Sequence, residues 1–252
     1  MRLTVVGCSG SYPGPESPAS CYLVEADHDG RTWRVALDLG NGALGALHRY
    51  ADPLGLDAVL VSHLHPDHYF DISGLYVMWR YHPDGPRTRI PVWGPAGVGR
   101  QAARAYGLPR DPGMSAEFDF HEYDDQAIEL GPFTIRPTRV VHPGRAYGLR
   151  VEAGGAVLAY TGDTGPTPQL ISLARDVDLL LAEAAFREGV ENPVDLHLTG
   201  AEAGRAAAEG GARRLVLTHI PPWHDKQVAW AEARTTYDGP LDLATSGATF
   251  DL

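Results

Sequence analysis

The sequence predicts a layered, mixed α/β (α+β) fold in one domain spanning residues 1–252, and three observations lead there. Hydrophobic residues make up 44% of the chain, enough for a sizeable core. Short apolar runs of strand character recur throughout, and in the second half they alternate with stretches of helical periodicity. Twenty-nine glycines and twenty prolines punctuate these runs, which suits many short elements joined by tight turns and disfavours a coiled coil or simple bundle. No internal repeat, low-complexity linker or composition break marks a second domain.

Taken in order, strands are expected at 3–6, 20–25 and 33–37, with a Gly-Pro-Ser-rich loop at 7–18 on a sheet rim. Residues 56–61 fit a short buried strand that empties into Ser62-His63-Leu64-His65-Pro66-Asp67-His68. Helical spacing comes next at 72–81, then a strand at 91–93, a helix at 98–106 and a loop at 108–115. Strands return at 127–130, 133–141, 148–152 and 157–160, each bounded by Gly or Pro. The remainder reads as a helix at 167–175, a strand at 179–183, a helix at 199–209, a strand at 215–218 and a terminal helix at 225–235. Thr199 with Glu202 three positions later forms a capping box, which sets His197 just outside a helix N-terminus.

The formal charge of −11 is spread along the chain, so no basic footprint for an extended nucleic-acid surface is visible. A small anionic substrate remains compatible, because divalent ions would reverse the sign of charge inside one cleft. Cys8 and Cys21 are too few for a disulfide framework and read as buried thiols. Met1 leads directly into strand-like Leu3 to Val6, without the pattern of a signal peptide, and no stretch approaches the ~20 apolar residues of a membrane span. A cytoplasmic address without a membrane partner is the expectation.

His63-x-His65-x-Asp67-His68 places four potential ligands within six residues at a strand end. Neutral imidazoles and carboxylates suit Zn²⁺ and similar first-row ions. In an extended segment residues 63, 65 and 67 would share a side, while a turn at Pro66 would swing His68 toward a second ion. Three further strand ends offer one ligand each: His142 after Val140-Val141, Asp163 after Tyr160-Thr161-Gly162, and His219 after 215–218. Five other histidines, His28, His48, His82, His121 and His224, lack ligand spacing and read as structural or surface residues. Tyr12, Trp223 and His224 could line the cleft, but aromatic residues of this kind are more often core or rim.

In that order these motifs resemble the metal motifs of the metallo-β-lactamase superfamily over nearly the whole chain. The resemblance implies a four-layer αββα sandwich with two divalent ions at one edge of its sheets. It implies His63, His65 and His142 on the first ion, Asp67, His68 and His219 on the second, and Asp163 bridging them. Zn²⁺ is the default, and Mn²⁺ or Fe²⁺ suit the same ligands. Two such cations about 3.5–4 Å apart hold a hydroxide at neutral pH and neutralise charge on an attacked phosphorus or carbonyl centre, with Asp67 able to steer that hydroxide.

Asp195-Leu196-His197-Leu198-Thr199 is similar to the His-x-Thr element of the ribonuclease Z and phosphodiesterase branch. By that resemblance His197 stabilises or protonates the leaving oxygen, with Glu183 orienting it. Too few residues lie between His142 and Asp163 for the arm with which ribonuclease Z grips transfer RNA. The opening Val6-Gly7-Cys8-Ser9-Gly10-Ser11-Tyr12-Pro13-Gly14 and the layout also resemble actinobacterial atypical cyclic-nucleotide phosphodiesterases. The expected substrate is therefore a small phosphodiester such as cyclic AMP. Other outcomes are a ribonuclease Z-like endoribonuclease, a thioesterase or lactonase, and a metal-binding regulatory protein with a relic site. Relatives suggest a homodimer.

Overall fold

Phe133 and Ile135 alternate with Thr134 and Arg136, and Leu180 sits between Leu179 and Leu181. The first pattern gives a strand with one apolar face, the second a strand covered on both faces. A computed structural model describes residues 1–85 and 87–252. Its strands are β1 (Arg2–Gly7), β2 (Cys21–His28), β3 (Arg31–Leu37), β4 (Ala58–Leu60), β5 (Ile90–Gly94), β6 (Phe118–Glu122) and β7 (Ile128–Leu130), then β8 (Phe133–Val140), β9 (Ala146–Ala153), β10 (Ala156–Tyr160), β11 (Leu179–Glu183), β12 (Leu215–Thr218), β13 (Leu241–Leu243) and β14 (Thr249–Asp251). The helices are α1 (Ala43–Leu47), α2 (Pro66–Tyr69), α3 (Ile72–Tyr81), α4 (Val98–Tyr106), α5 (Pro168–Leu173), α6 (Gly200–Gly210) and α7 (Lys226–Ala233).

These strands form two seven-stranded sheets, ordered β14-β1-β2-β3-β4-β5-β6 and β13-β12-β11-β10-β9-β8-β7. Leu3, Val5, Tyr22, Val24 and Leu37 of the first sheet pack against Phe133, Ile135, Leu149, Tyr160 and Leu181 of the second. Their neighbours in sequence face outward: Val6, Leu23 and Val59 meet Ile72, Leu75 and Trp79 of α3, and Leu180, Ala182 and Leu217 meet Ala203 and Ala207 of α6. The layers are thus helix, sheet, sheet, helix, the αββα sandwich that the resemblance implies. Each fully buried leucine contributes roughly 1.5–3 kcal/mol, so a slip of one residue in any of these strands is strongly disfavoured.

Direction matters more than layering for the site. β3 runs parallel to β4, β10 to β11 and β11 to β12, so their carboxyl ends share one edge of the sandwich. β8 joins them there, since it is antiparallel to β9, which is antiparallel to β10. Clefts at the carboxyl ends of parallel strands are where α/β proteins bind ligands.

The structure departs from the sequence expectation in several places. The expected strand 56–61 narrows to β4. The segment from His63 to Asp67 is not fully extended: Pro66, with φ preset for a first helical turn, starts α2, so Asp67 and His68 sit on one helical turn. β6 is an additional strand, in which Phe118 and Phe120 alternate with Asp119 and His121. The helix at 225–235 is α7 but not terminal, because β13 and β14 come after it. β14 pairs antiparallel with β1, and the Met1 amino group donates to the Leu252 carbonyl at 3.3 Å. Three residues are too few for a period to be seen, so these strands are visible only through their partners. Among the described residues no helix is long and apolar enough to cross a membrane.

Candidate metal centre

The residues expected at the site gather at the same edge, most of them at strand ends and on the short helix α2, of which His65 is the N-cap. His63 follows β4, Asp67 and His68 ride on α2, His142 follows β8, Asp163 follows β10, Glu183 ends β11, and His219 follows β12. His197 lies three residues ahead of α6, whose capping box is formed: Thr199 Oγ1 accepts from Glu202 N–H and a Glu202 carboxylate oxygen accepts from Thr199 N–H. His219 itself has φ of 55°, a left-handed turn that folds its ring back toward the other histidines.

Two clusters result. His63, His65 and His142 form one, with His65 Nδ1 3.0 Å from His63 Nε2 and 3.1 Å from His142 Nε2. Asp67, His68, Asp163 and His219 form the other, with His219 Nε2 3.1 Å from Asp67 Oδ2 and 3.3 Å from His68 Nε2. Asp163 lies between them, 3.6 Å from His63 Nε2, 3.3 Å from His68 Nε2 and 3.4 Å from His219 Nε2.

Asp38, which no motif in the sequence singles out, sets the orientation of several of these rings. It is buried just past the end of β3, with φ of 60°, and accepts from Ser62 N–H at 2.6 Å, Ser62 Oγ–H at 2.8 Å, His68 Nδ1–H at 2.7 Å and the Tyr160 hydroxyl at 2.7 Å. Because Ser62 gives its proton to Asp38, its oxygen accepts from His63 Nδ1–H at 3.1 Å. His142 Nδ1–H likewise donates to the Leu196 carbonyl at 2.7 Å. In all three rings the outer nitrogen is committed, and Nε2 turns inward. The one signal for Asp38 in the sequence is its setting, a carboxylate at a strand end like Asp163.

The electrostatics favour a cation at the centre. Burial first, and then the neighbouring histidines, push His63 well below the usual imidazole range, and burial also lowers His65 and His142, so these three present lone pairs. Burial opposes charge on His68, yet Asp163, Asp38 and Asp67 overcome it and hold a proton there well above the ordinary range. Asp163 is held well below the carboxylate range despite its burial by His219, His68 and His63, and Asp67 is lowered by His68 and His219 in the same way. His63 Nε2 and His142 Nε2 both turn a lone pair to His65 Nδ1, which can donate to only one of them, and two buried carboxylates stand beside them, so a cation there would satisfy the whole set. Asp163 Oδ1 is buried without a hydrogen-bond partner among the described residues. The donor set therefore fits divalent metal.

On the open side of the centre His197 Nδ1 lies 2.9 Å from Glu183 Oε1 and 3.9 Å from Asp163 Oδ2. Glu183 is fully buried and also accepts from Thr164 N–H at 2.8 Å and Ala185 N–H at 3.2 Å, which ties it to the loop that carries Asp163. Burial disfavours charge on His197, but the Glu183 carboxylate outweighs it and raises the imidazole to about 9. Phe186 packs edge-on against the His197 ring, with centroids 5.0 Å apart. His28, His48, His82, His121 and His224 belong to none of these clusters.

Residues 34–220 match the family described as the beta-lactamase superfamily domain. The chain belongs to that superfamily, and with this His/Asp cluster it is a metal-dependent hydrolase. The Mycobacterium tuberculosis protein Rv1339 is 45% identical over 257 residues, covering 100% of this chain and 92% of that protein. The Bacillus subtilis probable metallo-hydrolase YhfI is 30% identical over 254 residues and 100% of both chains. The crystal structure of YhfI superposes with a TM-score of 0.87 over 99% of each chain. A ribonuclease Z of Myxococcus xanthus is 29% identical over 307 aligned positions, 100% of this chain and 98% of that protein.

Proposed function

We propose that this hydrolase is a phosphodiesterase for a small phosphodiester, a 3′,5′-cyclic nucleotide such as cyclic AMP being the class that fits best. The observation that carries this reading is the His197–Glu183 pair, held protonated beside the His/Asp clusters where a leaving oxygen would depart. His63, His65 and His142 would hold one ion and Asp67, His68 and His219 a second, with Asp163 shared; Zn²⁺ is the first choice and Mn²⁺ or Fe²⁺ the others. When bound, two divalent ions supply Lewis acidity toward phosphoryl oxygens and a strong nucleophile from water at neutral pH.

The chain's own groups do the rest. Asp67, held ionised, accepts a hydrogen bond from the attacking water and orients it. His197 Nδ1–H stays bonded to Glu183, which leaves the Nε2 proton for the departing alkoxide. Glu183 also fixes Thr164, so one carboxylate sets the loop of Asp163 and the acid in common register.

The short connections after His142 support a small substrate. Only residues 141–145 join β8 to β9, and a two-residue turn joins β9 to β10, so no arm projects there. The Myxococcus xanthus ribonuclease Z aligns over 307 positions against the 252 residues of this chain, so it carries roughly 55 positions without a counterpart here. Metal-loaded protein should be given cyclic AMP, bis(p-nitrophenyl) phosphate, a precursor transfer RNA and a thioester. Turnover of the first two supports the proposal. Cleavage of the RNA alone, or of the thioester alone, overturns it.

A further inference from the structure

We propose that Tyr12 and Trp223 form a platform on which the base of the nucleotide stacks, beside the metal centre; this rests on the phosphodiesterase reading above. Two loops carry the pair, one fastened to His219 and the other following it in the chain. On the first, Gly10 N–H donates to the Ile220 carbonyl at 3.3 Å and Ser11 N–H lies 3.3 Å from His219 Nε2. Gly10 must be glycine for this approach, because a Cβ there would collide with the His219 carbonyl oxygen. On the second, His224 N–H donates to the Pro221 carbonyl at 2.9 Å, a turn that folds Trp223 back over the first loop, where Gly14 packs on Pro222.

The two rings meet with centroids 5.3 Å apart and planes inclined by 30°. Both stay exposed, Tyr12 at 43% and Trp223 at 59%. Trp223 also meets the edge of His224, with centroids 6.0 Å apart, and the stacked pair leaves an exposed aromatic surface beside the loop of His219. Its position suits a base. Tyr12 is bonded to Ser11, whose N–H lies 3.3 Å from His219 Nε2, so the loop that carries the ring begins at the centre. In a nucleotide one sugar separates phosphate from base. A phosphodiester reacting beside His219 therefore has the loop of Tyr12 next to it to receive its base. Stacking on aromatic faces accepts any base, so the platform recognises the presence of a base more than its identity.

The test has two arms. In the first, tryptophan emission is followed as 5′-AMP or ribose 5-phosphate is titrated into wild type, Trp223→Phe and Tyr12→Ala. Quenching by AMP in wild type, little by ribose 5-phosphate, and its loss in Trp223→Phe are expected. In the second, kcat/KM is compared for cyclic AMP and for the methyl riboside 3′,5′-cyclic phosphate, the same ring without a base. Trp223→Ala should lower the preference for cyclic AMP about 10-fold, mostly through KM, and Trp223→Phe should restore most of it. AMP that leaves the Trp223 signal unmoved, or an unchanged preference in Trp223→Ala, overturns the platform. AMP quenching in a protein that hydrolyses no cyclic nucleotide leaves the platform standing and removes the substrate reading instead.

Discussion

Asp38 accepts the Nδ1 proton of His68 at 2.7 Å across 30 residues of sequence, and the same carboxylate takes Ser62 and Tyr160. One buried anion thereby decides which nitrogen two of the histidines present to the centre. Asp38→Asn keeps the shape but turns an acceptor-only group into one that also donates, so His68 loses its fixed orientation. Metal affinity should fall about 10- to 100-fold, read by competition with a chromophoric chelator, and zinc at wild-type affinity would show that the contact is incidental.

Positive charge at His68 and a metal ion are alternatives for the same space. The carboxylates of Asp163, Asp38 and Asp67 raise the imidazole, so the metal-free protein carries that proton at neutral pH and must release it on binding. Zinc titration of chelator-treated protein in buffers of different ionisation enthalpy should show net proton release, with affinity rising with pH. The same titration should raise Tm, since ions that bind only the folded chain stabilise it by mass action. A pH-independent affinity with no proton release would contradict the placement of the charge.

Thr199 links the fold to the site. Its Oγ1 caps α6 and its position fixes His197 two residues earlier. Thr199→Ala should cost about 1 kcal/mol in denaturant unfolding and should lower kcat more than it changes KM. Loss of stability without any effect on kcat would detach the cap from His197.

Much of this centre is legible in the residues themselves. The run from His63 to His68 and the single ligands after Val141, Gly162 and Thr218 are readable because each follows an apolar strand, and strand ends gather at one edge by topology. Thr199 and Glu202 announce a helix start by local chemistry alone. Asp38 is not legible, since a lone aspartate after a strand has no spacing to betray it and its role comes from partners 24 to 122 residues away. The helical turn at Pro66 is hidden because ligands at alternate positions look extended when only period is considered. β13 and β14 are three residues each and owe their existence to β12 and β1.

Glu183 holds the His197 proton against the effect of burial. Burial alone would lower His197; the carboxylate raises it to about 9, so the protonated acid persists at neutral pH and is lost as pH rises through that value. Glu183→Gln removes the charge and keeps the acceptor. The alkaline limb of the kcat profile should move to lower pH by more than about one unit, each unit being 1.36 kcal/mol of lost preference for the charged form. An unmoved limb would assign the titration to another group.

His197 as proton donor makes a prediction that a merely structural histidine does not. A donor is needed in proportion to the basicity of the oxygen that leaves. The ribose 3′-alkoxide of cyclic AMP is a poor leaving group and requires a proton, whereas p-nitrophenolate departs without one. His197→Ala should therefore reduce kcat on cyclic AMP by about 10²–10⁴-fold and on bis(p-nitrophenyl) phosphate by much less. The Phe186 ring, 5.0 Å away, loses its neighbour in both assays, so a packing defect would depress the two substrates alike. Equal losses would leave His197 as a positioning residue and transfer the acid role elsewhere in the cleft. Metal content measured on the same preparations separates this from loss of the ions, since His197 Nδ1 stands 3.9 Å from Asp163 and points to Glu183 at 2.9 Å.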